Sequence, residues 1–142
     1  LQAQAAKLCL LTSAPSQTCR LLLMLGAKAG VPLETVWEAI KSSAGNSWVA
    51  EHDVPSIFAG HYDPSFSLAL CCKDLTLVNQ IAEQQGYSLT MGQFALAQFE
   101  KAKEIYGPDA AELHVVKMLE DKVGLLLRPP HGQATTAVNH GS

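Results

Sequence analysis

Charged residues are scarce in this sequence of 142 residues, since Asp, Glu, Lys and Arg make up only 16% of it. An average globular domain carries roughly a quarter. Hydrophobic residues make up 48%, so we expect a single domain that leaves apolar surface for a protein partner. The net charge is −3 and the basic residues are scattered. The lack of a basic stripe argues against nucleic acid as a partner.

Long hydrophobic runs are also missing. The longest, Leu21–Leu25, is far short of the roughly 18 residues that span a bilayer, so we expect no membrane partner. No signal peptide is visible and the chain begins with Leu1 rather than Met, which predicts a fragment or a processed chain. The cysteines form no CxxC motif and favour a reduced, cytoplasmic location; they are Cys9, Cys19, Cys71 and Cys72.

The motifs of several common catalytic sites do not occur in the sequence. It contains no GxGxxG, no P-loop, no GxSxG and no HExxH. None of the histidines stands at ligand spacing from a cysteine or another histidine, so we predict no metal site; they are His52, His61, His114, His131 and His140. The residues by themselves indicate a helical domain with an unassigned interface.

Turn and cap residues divide the chain into five or six helical segments and indicate no strand, so the predicted fold class is all-α. Residues 1–127 form the predicted helical domain and residues 128–142 a disordered tail rich in Pro, Gly and polar residues. Pro15 predicts either a break near Ser13 or one long kinked helix. The predicted segments are 2–11, 17–29, 32–43, a short helix capped by Asn46 or Ser47, a short turn from Pro55 to Phe58, 67–85, 90–105 and a last helix to about Leu126.

Helical spacing also predicts which side of each segment is apolar. Ser67–Gln85 shows the clearest pattern of all the segments. The predicted apolar faces are Leu21, Leu22, Leu25 and Ala29; Leu68, Cys72, Leu75, Val78, Asn79 and Ala82; Phe94, Ala97, Phe99 and Ile105; and Leu113, Val116 and Leu119 or Glu120.

The stretch Gly45–Leu75 carries an ordered set of small motifs. These are S-x-G-x-S ending at Ser47, Y-x-P-x-F starting at Tyr62, and KDL starting at Lys73. The set resembles the C-terminal helical domain of the β-hydroxyacid dehydrogenases, the group of 3-hydroxyisobutyrate, tartronate semialdehyde, threonate and 6-phosphogluconate enzymes. The run from Ala44 to Trp48 is most similar to the threonate-type members, and the resemblance covers about residues 20–122.

The resemblance implies an NAD(P)-dependent oxidoreductase that acts on the CH–OH group of a small β-hydroxyacid. It implies that a preceding Rossmann domain, missing here, binds most of the NAD or NADP. It also implies a homodimer, which a long connecting helix helps to form. Lys7 would be the catalytic acid/base, while Lys73 would contact both cofactor and substrate. The sequence departs from the family near Lys7, because Leu10 and Leu11 replace a polar pair and Pro15 interrupts the helix.

Asn46 and Ser47 stand at a predicted helix start, where backbone N–H groups and a hydroxyl suit an anionic substrate group. The alternative is ordinary capping, with Trp48 in the core. Lys73 likewise has the alternative of a solvated lysine paired with Asp74 or Asp63. Two functions follow: the substrate and dimerisation half of a dehydrogenase, inactive alone, or a non-catalytic module for assembly or partner binding.

Overall fold

A computed structural model describes residues 14–62 and 66–129 of the chain. Within these ranges the chain forms helices joined by short turns, and an isolated antiparallel bridge between Ser67 and Ala111 is the only β-type pairing in the part described. This confirms the predicted all-α fold class. The helices are α1 (Ala14–Lys28), α2 (Leu33–Lys41), α3 (Trp48–Ala59), α4 (Leu68–Gln84), α5 (Thr90–Tyr106) and α6 (His114–Val123).

Two packed groups of helices organise the domain. α4 packs most extensively on α5, and α6 closes that pair, while α1, α2 and α3 pack on one another. The core is continuous across them; its fully buried large side chains include Leu23, Ile57, Leu68, Leu75 and Phe99. No helix in the described part is long and apolar enough to cross a membrane.

The predicted short turn from Pro55 to Phe58 is wrong, because α3 runs unbroken through Pro55 to Ala59. A proline inside a helix removes one hydrogen bond and crowds the preceding turn. Burial on both sides of it offsets this cost, since Val54 is 1% exposed and Ile57 is 0% exposed. Ser47 rather than Asn46 caps this helix, accepting from the Ala50 N–H at 3.1 Å.

α1 corrects the predicted apolar face. Cys19, Leu23 and Met24 are buried, whereas Leu21 is 58% exposed and Leu25 is 65% exposed. The run Leu21–Leu25 is apolar over more than one helical turn, so its spacing alone could not tell which side meets the core. Since the description begins at Ala14, the predicted break near Ser13 and the helix over residues 2–11 lie outside the described residues.

α5 and α6 also differ from their predictions. The buried side of α5 is Gly92, Ala95, Phe99 and Ala102, and Phe94 is 53% exposed. α6 ends earlier than Leu126 because Gly124 takes a left-handed conformation with a φ of 69°.

The other predicted faces agree better with the structure. α4 buries nearly the predicted set: Leu68, Cys71, Cys72, Leu75, Asn79 and Ala82. In α6, Val116 and Glu120 are buried as their spacing indicated.

Candidate functional site

Lys73 lies in the second turn of α4, and its position follows from the helix start. Ser67 caps α4 by accepting from the Leu70 N–H at 3.3 Å, and the apolar residues that follow turn one face of α4 to the core. Lys73 lies off that face, and its side chain is 68% exposed. Its ammonium is 3.5 Å from Asp74 Oδ1. An exposed ion pair of this kind stabilises by less than about 1 kcal/mol, so a stronger anionic partner would displace it.

An open groove between α4 and α5 runs past this lysine. It has a volume of about 740 Å³, and its lining includes Lys73 and Asp74 from α4, Glu100 and Lys103 from α5, and Pro108 from the following loop. Lys103 pairs with Glu100, a contact that raises the pKa of Lys103. The groove therefore combines two lysine–carboxylate ion pairs with apolar wall atoms.

Cys72 contributes to the wall of the same groove. Burial, with the Glu100 carboxylate nearby, raises its pKa to about 11. The thiol is therefore protonated at neutral pH and is a poor nucleophile, which leaves it a packing role. Cys19, Cys71 and Cys72 are all buried free thiols.

The turn before α3 holds the other predicted site residues. Asn46 donates from Nδ2 to Glu51 Oε1 at 2.8 Å. Ser47 uses its hydroxyl oxygen as the cap acceptor, and a hydroxyl that accepts in this way can also donate its hydrogen. Trp48 is 62% exposed rather than in the core, and it stacks on His52 with ring centroids 4.0 Å apart.

The structure does not join these two regions directly. Within residues 14–62 and 66–129, no hydrogen bond or ion pair links Asn46 or Ser47 to Lys73. The three residues belong to different helix groups, since α3 packs with α1 and α2 whereas α4 packs with α5. Lys7 lies outside the described residues, and its role stays a prediction.

A buried polar network at the C-terminal end of the domain was not identified from the sequence. Glu120 has a fully buried side chain. It accepts hydrogen bonds from Tyr62 Oη, from the Leu127 N–H at 2.8 Å and from Arg128 Nη1 at 3.0 Å. Arg128 also donates to Tyr62 Oη at 2.7 Å and to the Ile57 carbonyl at 2.7 Å. The sequence signal for this network was the position of Glu120 on the predicted apolar face of α6.

This network ties the segment after α6 to the end of α3. The predicted disordered tail begins at Arg128, and most of it lies outside the described residues and stays a prediction. Arg128 itself, however, is held by Glu120, Tyr62 and Ile57. The contacts of the helical domain therefore include this residue.

A second buried cluster involves α1, α3, α4 and the turn before α6. Arg20 is 7% exposed, and its Nη2 lies 3.6 Å from Asp53 Oδ2. Cys71 Sγ lies 3.8 Å from Glu112 Oε2. Burial raises the pKa of both Asp53 and Glu112, although Arg20 opposes the shift in each. Only Arg20 offered a sequence signal, as a charged residue within an apolar stretch.

Comparisons with known proteins assign this helical domain to a family. Residues 2–119 match the family described as "NAD-binding of NADP-dependent 3-hydroxyisobutyrate dehydrogenase". The chain belongs to this family, which confirms the resemblance to the β-hydroxyacid dehydrogenases drawn from Gly45–Leu75.

Individual relatives agree with this assignment. An L-threonate dehydrogenase of Haemophilus influenzae is 32% identical over 88 residues, which is 61% of this chain and 29% of that protein. A probable mitochondrial 3-hydroxyisobutyrate dehydrogenase of Arabidopsis thaliana is 29% identical over 102 residues, covering 67% of this chain and 27% of the relative. The chain thus spans less than a third of the length of these relatives.

The crystal structure of a 3-hydroxyisobutyrate dehydrogenase from Salmonella typhimurium has the same fold over most of the chain. Its TM-score is 0.69 at 26% sequence identity, covering 80% of this chain and 41% of that one.

Proposed function

We propose that this chain is the helical half of an NAD(P)-dependent β-hydroxyacid dehydrogenase that oxidises or reduces a small hydroxyacid at its CH–OH group. The observation that carries the proposal is the exposed ammonium of Lys73, set in an open groove by a helix that belongs to this enzyme family. Since the relatives are more than three times as long as the matched stretch, the rest of such an enzyme would supply most of the dinucleotide site.

The groove suits the nicotinamide end of such a cofactor. Ala69, Leu77 and Pro108 offer apolar atoms to a flat ring, and Lys73 offers a positive charge. The nicotinamide, when bound, would donate or accept the hydride. Lys73 would hold the substrate carboxylate and stabilise negative charge on the reacting oxygen, as fixed cations do in many active sites.

The remaining predicted residues take roles that suit their chemistry. Ser47 would donate its hydroxyl hydrogen to an anionic substrate group at the start of α3, and Asn46 would orient the turn through Glu51. Lys7 would act as acid/base. An enzyme of this kind, with buried free thiols, suits a reducing cytoplasm.

The test uses the enzyme that contains this chain together with a nucleotide-binding half. Lys73→Ala should lower kcat/KM for β-hydroxyacids by about 10- to 100-fold, the value of one charged hydrogen bond of roughly 1.5–3 kcal/mol. Lys101→Ala is the matched control, because Lys101 is an exposed lysine on α5 that does not line the groove. Equal kinetics for the two variants would remove Lys73 from the site.

The isolated chain should show no dehydrogenase activity, because its sequence carries no dinucleotide-binding fingerprint. Adding a separately expressed nucleotide-binding half should restore turnover. Robust turnover by the isolated chain would contradict this part of the proposal.

A second candidate function is assembly, and the exposed leucines of α1 favour it. Leu21, Leu22 and Leu25 are all at least 43% exposed and lie near one another on this helix. An exposed apolar helix face of this kind is typically buried by a partner protein. We propose that this face joins two copies of the chain. Such pairing would serve an active dehydrogenase and a non-catalytic module alike.

Sedimentation at low micromolar concentration tests this assembly. The unaltered chain should sediment as a dimer, and Leu21→Gln with Leu25→Gln should convert it to a monomer. Leu126→Gln is the control, since Leu126 is 59% exposed but lies after α6. A strictly monomeric unaltered chain would refute assembly through α1.

A further inference from the structure

We propose that Tyr62 is a positioning residue: held by α6, it fixes where α4 begins and therefore where the Lys73 ammonium lies in its groove. Tyr62 follows the end of α3, and Ser67 caps α4 five positions later. The part of this inference that concerns catalysis rests on the proposed dehydrogenase function. The part that concerns the start of α4 does not.

The backbone of Tyr62 is the first observation. Its φ is 45°, and no other residue except glycine has a positive φ among residues 14–62 and 66–129. A bulky residue in this left-handed region is strained. Such a conformation persists only where the surrounding contacts hold it, and strained residues of this kind cluster at functional sites.

The contacts that hold Tyr62 come mainly from α6. Its hydroxyl donates to Glu120 Oε2 and accepts from Arg128 Nη2 at 2.7 Å. Its ring lies against the ring of His114, with centroids 5.3 Å apart. Glu120 and His114 both belong to α6, and the Glu120 side chain is wholly buried. The hydroxyl therefore has a fixed acceptor, which ties the strained residue to this helix.

The turn that leads into α6 holds the first turn of α4. The Leu68 N–H donates to the Ala110 carbonyl at 2.8 Å, and the Ala69 N–H donates to the Pro108 carbonyl at 3.0 Å. These are two of the N–H groups that the start of a helix leaves without a partner inside the helix. Pro108 also lines the groove, so this turn fixes the first turn of α4 and one wall of the groove together.

One continuous stretch, residues 108–120, thus holds both Tyr62 and the start of α4. Without the hydroxyl, the left-handed backbone of Tyr62 loses the bonds that hold it and can relax. Lys73 lies only six residues after the Ser67 cap, and an α-helix is rigid over that length, so a shift or rotation of the first turn carries Lys73 with it. A reacting group that is misplaced by about 1 Å can cost roughly 100-fold in rate.

NMR of the isotope-labelled chain tests the placement of α4. Tyr62→Phe keeps the ring, and the amide proton shifts of Leu68 and Ala69 should change because these shifts depend on hydrogen-bond length. Tyr106→Phe is the matched control, since its hydroxyl also donates to a carboxylate, Asp121 Oδ2 at 2.6 Å, and its ring also contacts the same histidine. In the control both shifts should match those of the unaltered chain. A loss of stability alone does not move these shifts, so unchanged shifts in Tyr62→Phe would overturn the inference.

Kinetics of the enzyme that also contains a nucleotide-binding half test the link to Lys73. Tyr62→Phe should lower kcat/KM by about 5- to 10-fold, whereas Tyr106→Phe should change it by less than about twofold. In a Lys73→Ala background, Tyr62→Phe should cost less than about twofold, because the residue through which it acts is absent. Equal losses in both backgrounds would show a general structural role and would overturn the catalytic part.

The two experiments separate this inference from the proposed function. Unaltered kinetics in Lys73→Ala would refute the proposed function and the catalytic part of the inference with it. The NMR comparison decides independently whether Tyr62 fixes the start of α4.

Discussion

Glu120→Gln removes the charge from a carboxylate whose side chain is wholly buried. The amide keeps the shape of the residue but replaces one acceptor oxygen by a donor. Oε1 can still accept from the Leu127 N–H and from Arg128, but the amide nitrogen that replaces Oε2 cannot accept from Tyr62 Oη, and the negative charge that faces Arg128 is lost. The variant therefore tests whether this network holds the C-terminal segment on the domain.

The expected cost follows from the partners. Breaking a buried ion pair costs about 3–5 kcal/mol when a charge is left unpaired inside the protein. Arg128 is 26% exposed and keeps its bonds to the Ile57 carbonyl and Tyr62, so the lost interaction is closer to one charged hydrogen bond. We expect a loss of about 2 kcal/mol in the free energy of unfolding, which lowers the melting temperature by roughly 5–10 °C for a domain of this size.

Urea unfolding followed by circular dichroism measures this change, and Glu104→Gln provides the control. Glu104 is an exposed carboxylate on α5, so its variant should stay within about 0.5 kcal/mol of the unaltered chain. Tyr62→Phe should cost about 1 kcal/mol and combine non-additively with Glu120→Gln, because both act in one network. A loss below about 0.5 kcal/mol for Glu120→Gln would refute the reasoning.

Three further predictions concern the stability of the fold. Burial raises the pKa of Asp53 and Glu112, so these carboxyl groups lose their protons at a lower pH in the unfolded chain than in the folded chain. The free energy of unfolding should therefore fall as pH rises from about 4, until both groups are ionised in the folded state as well. In urea titrations across this pH range, the free energy of unfolding of Glu112→Gln should fall less steeply with pH than that of the unaltered chain. An unchanged slope would refute this prediction. Pro55→Ala should raise the melting temperature, because an N–H can then complete the interior of α3; a lower melting temperature would contradict this. Gly92→Ala should lower the free energy of unfolding in urea by about 1–3 kcal/mol, since its methyl group would stand 2.7 Å from Asn79 Oδ1. An unchanged free energy would contradict this, because it would mean that the Asn79 side chain moves out of the way.

Local signals in the sequence located most of the helices. Ser67 before an apolar periodic stretch, and the glycine that follows it, predicted α4 to within a residue or two. Pro55 misled because a local rule for proline ignores burial, and the neighbouring Val54 and Ile57 keep α3 continuous in the core. Boundaries that depend on tertiary contacts are therefore the part that pattern reading misses.

The candidate site divides in the same way. KDL in its family context predicted Lys73 as a functional lysine, and the structure gives it an exposed position in a groove. The groove itself could not be predicted, because its second wall comes from Glu100 and Lys103, almost 30 positions further along the chain. In the sequence, Asn79 could be recognised only as one polar residue within an apolar pattern.

The sequence by itself determined the all-α class, the family and the residues that carry the family motif, because helix periodicity, capping and short motifs are local properties of the chain. Tertiary structure alone decided which face of α1 is buried, which partners satisfy Glu120 and how α4 and α5 form their groove. These depend on side chains distant in sequence that meet only after packing, so an apolar stretch such as Leu21–Leu25 is compatible with either orientation until the other helices are in place.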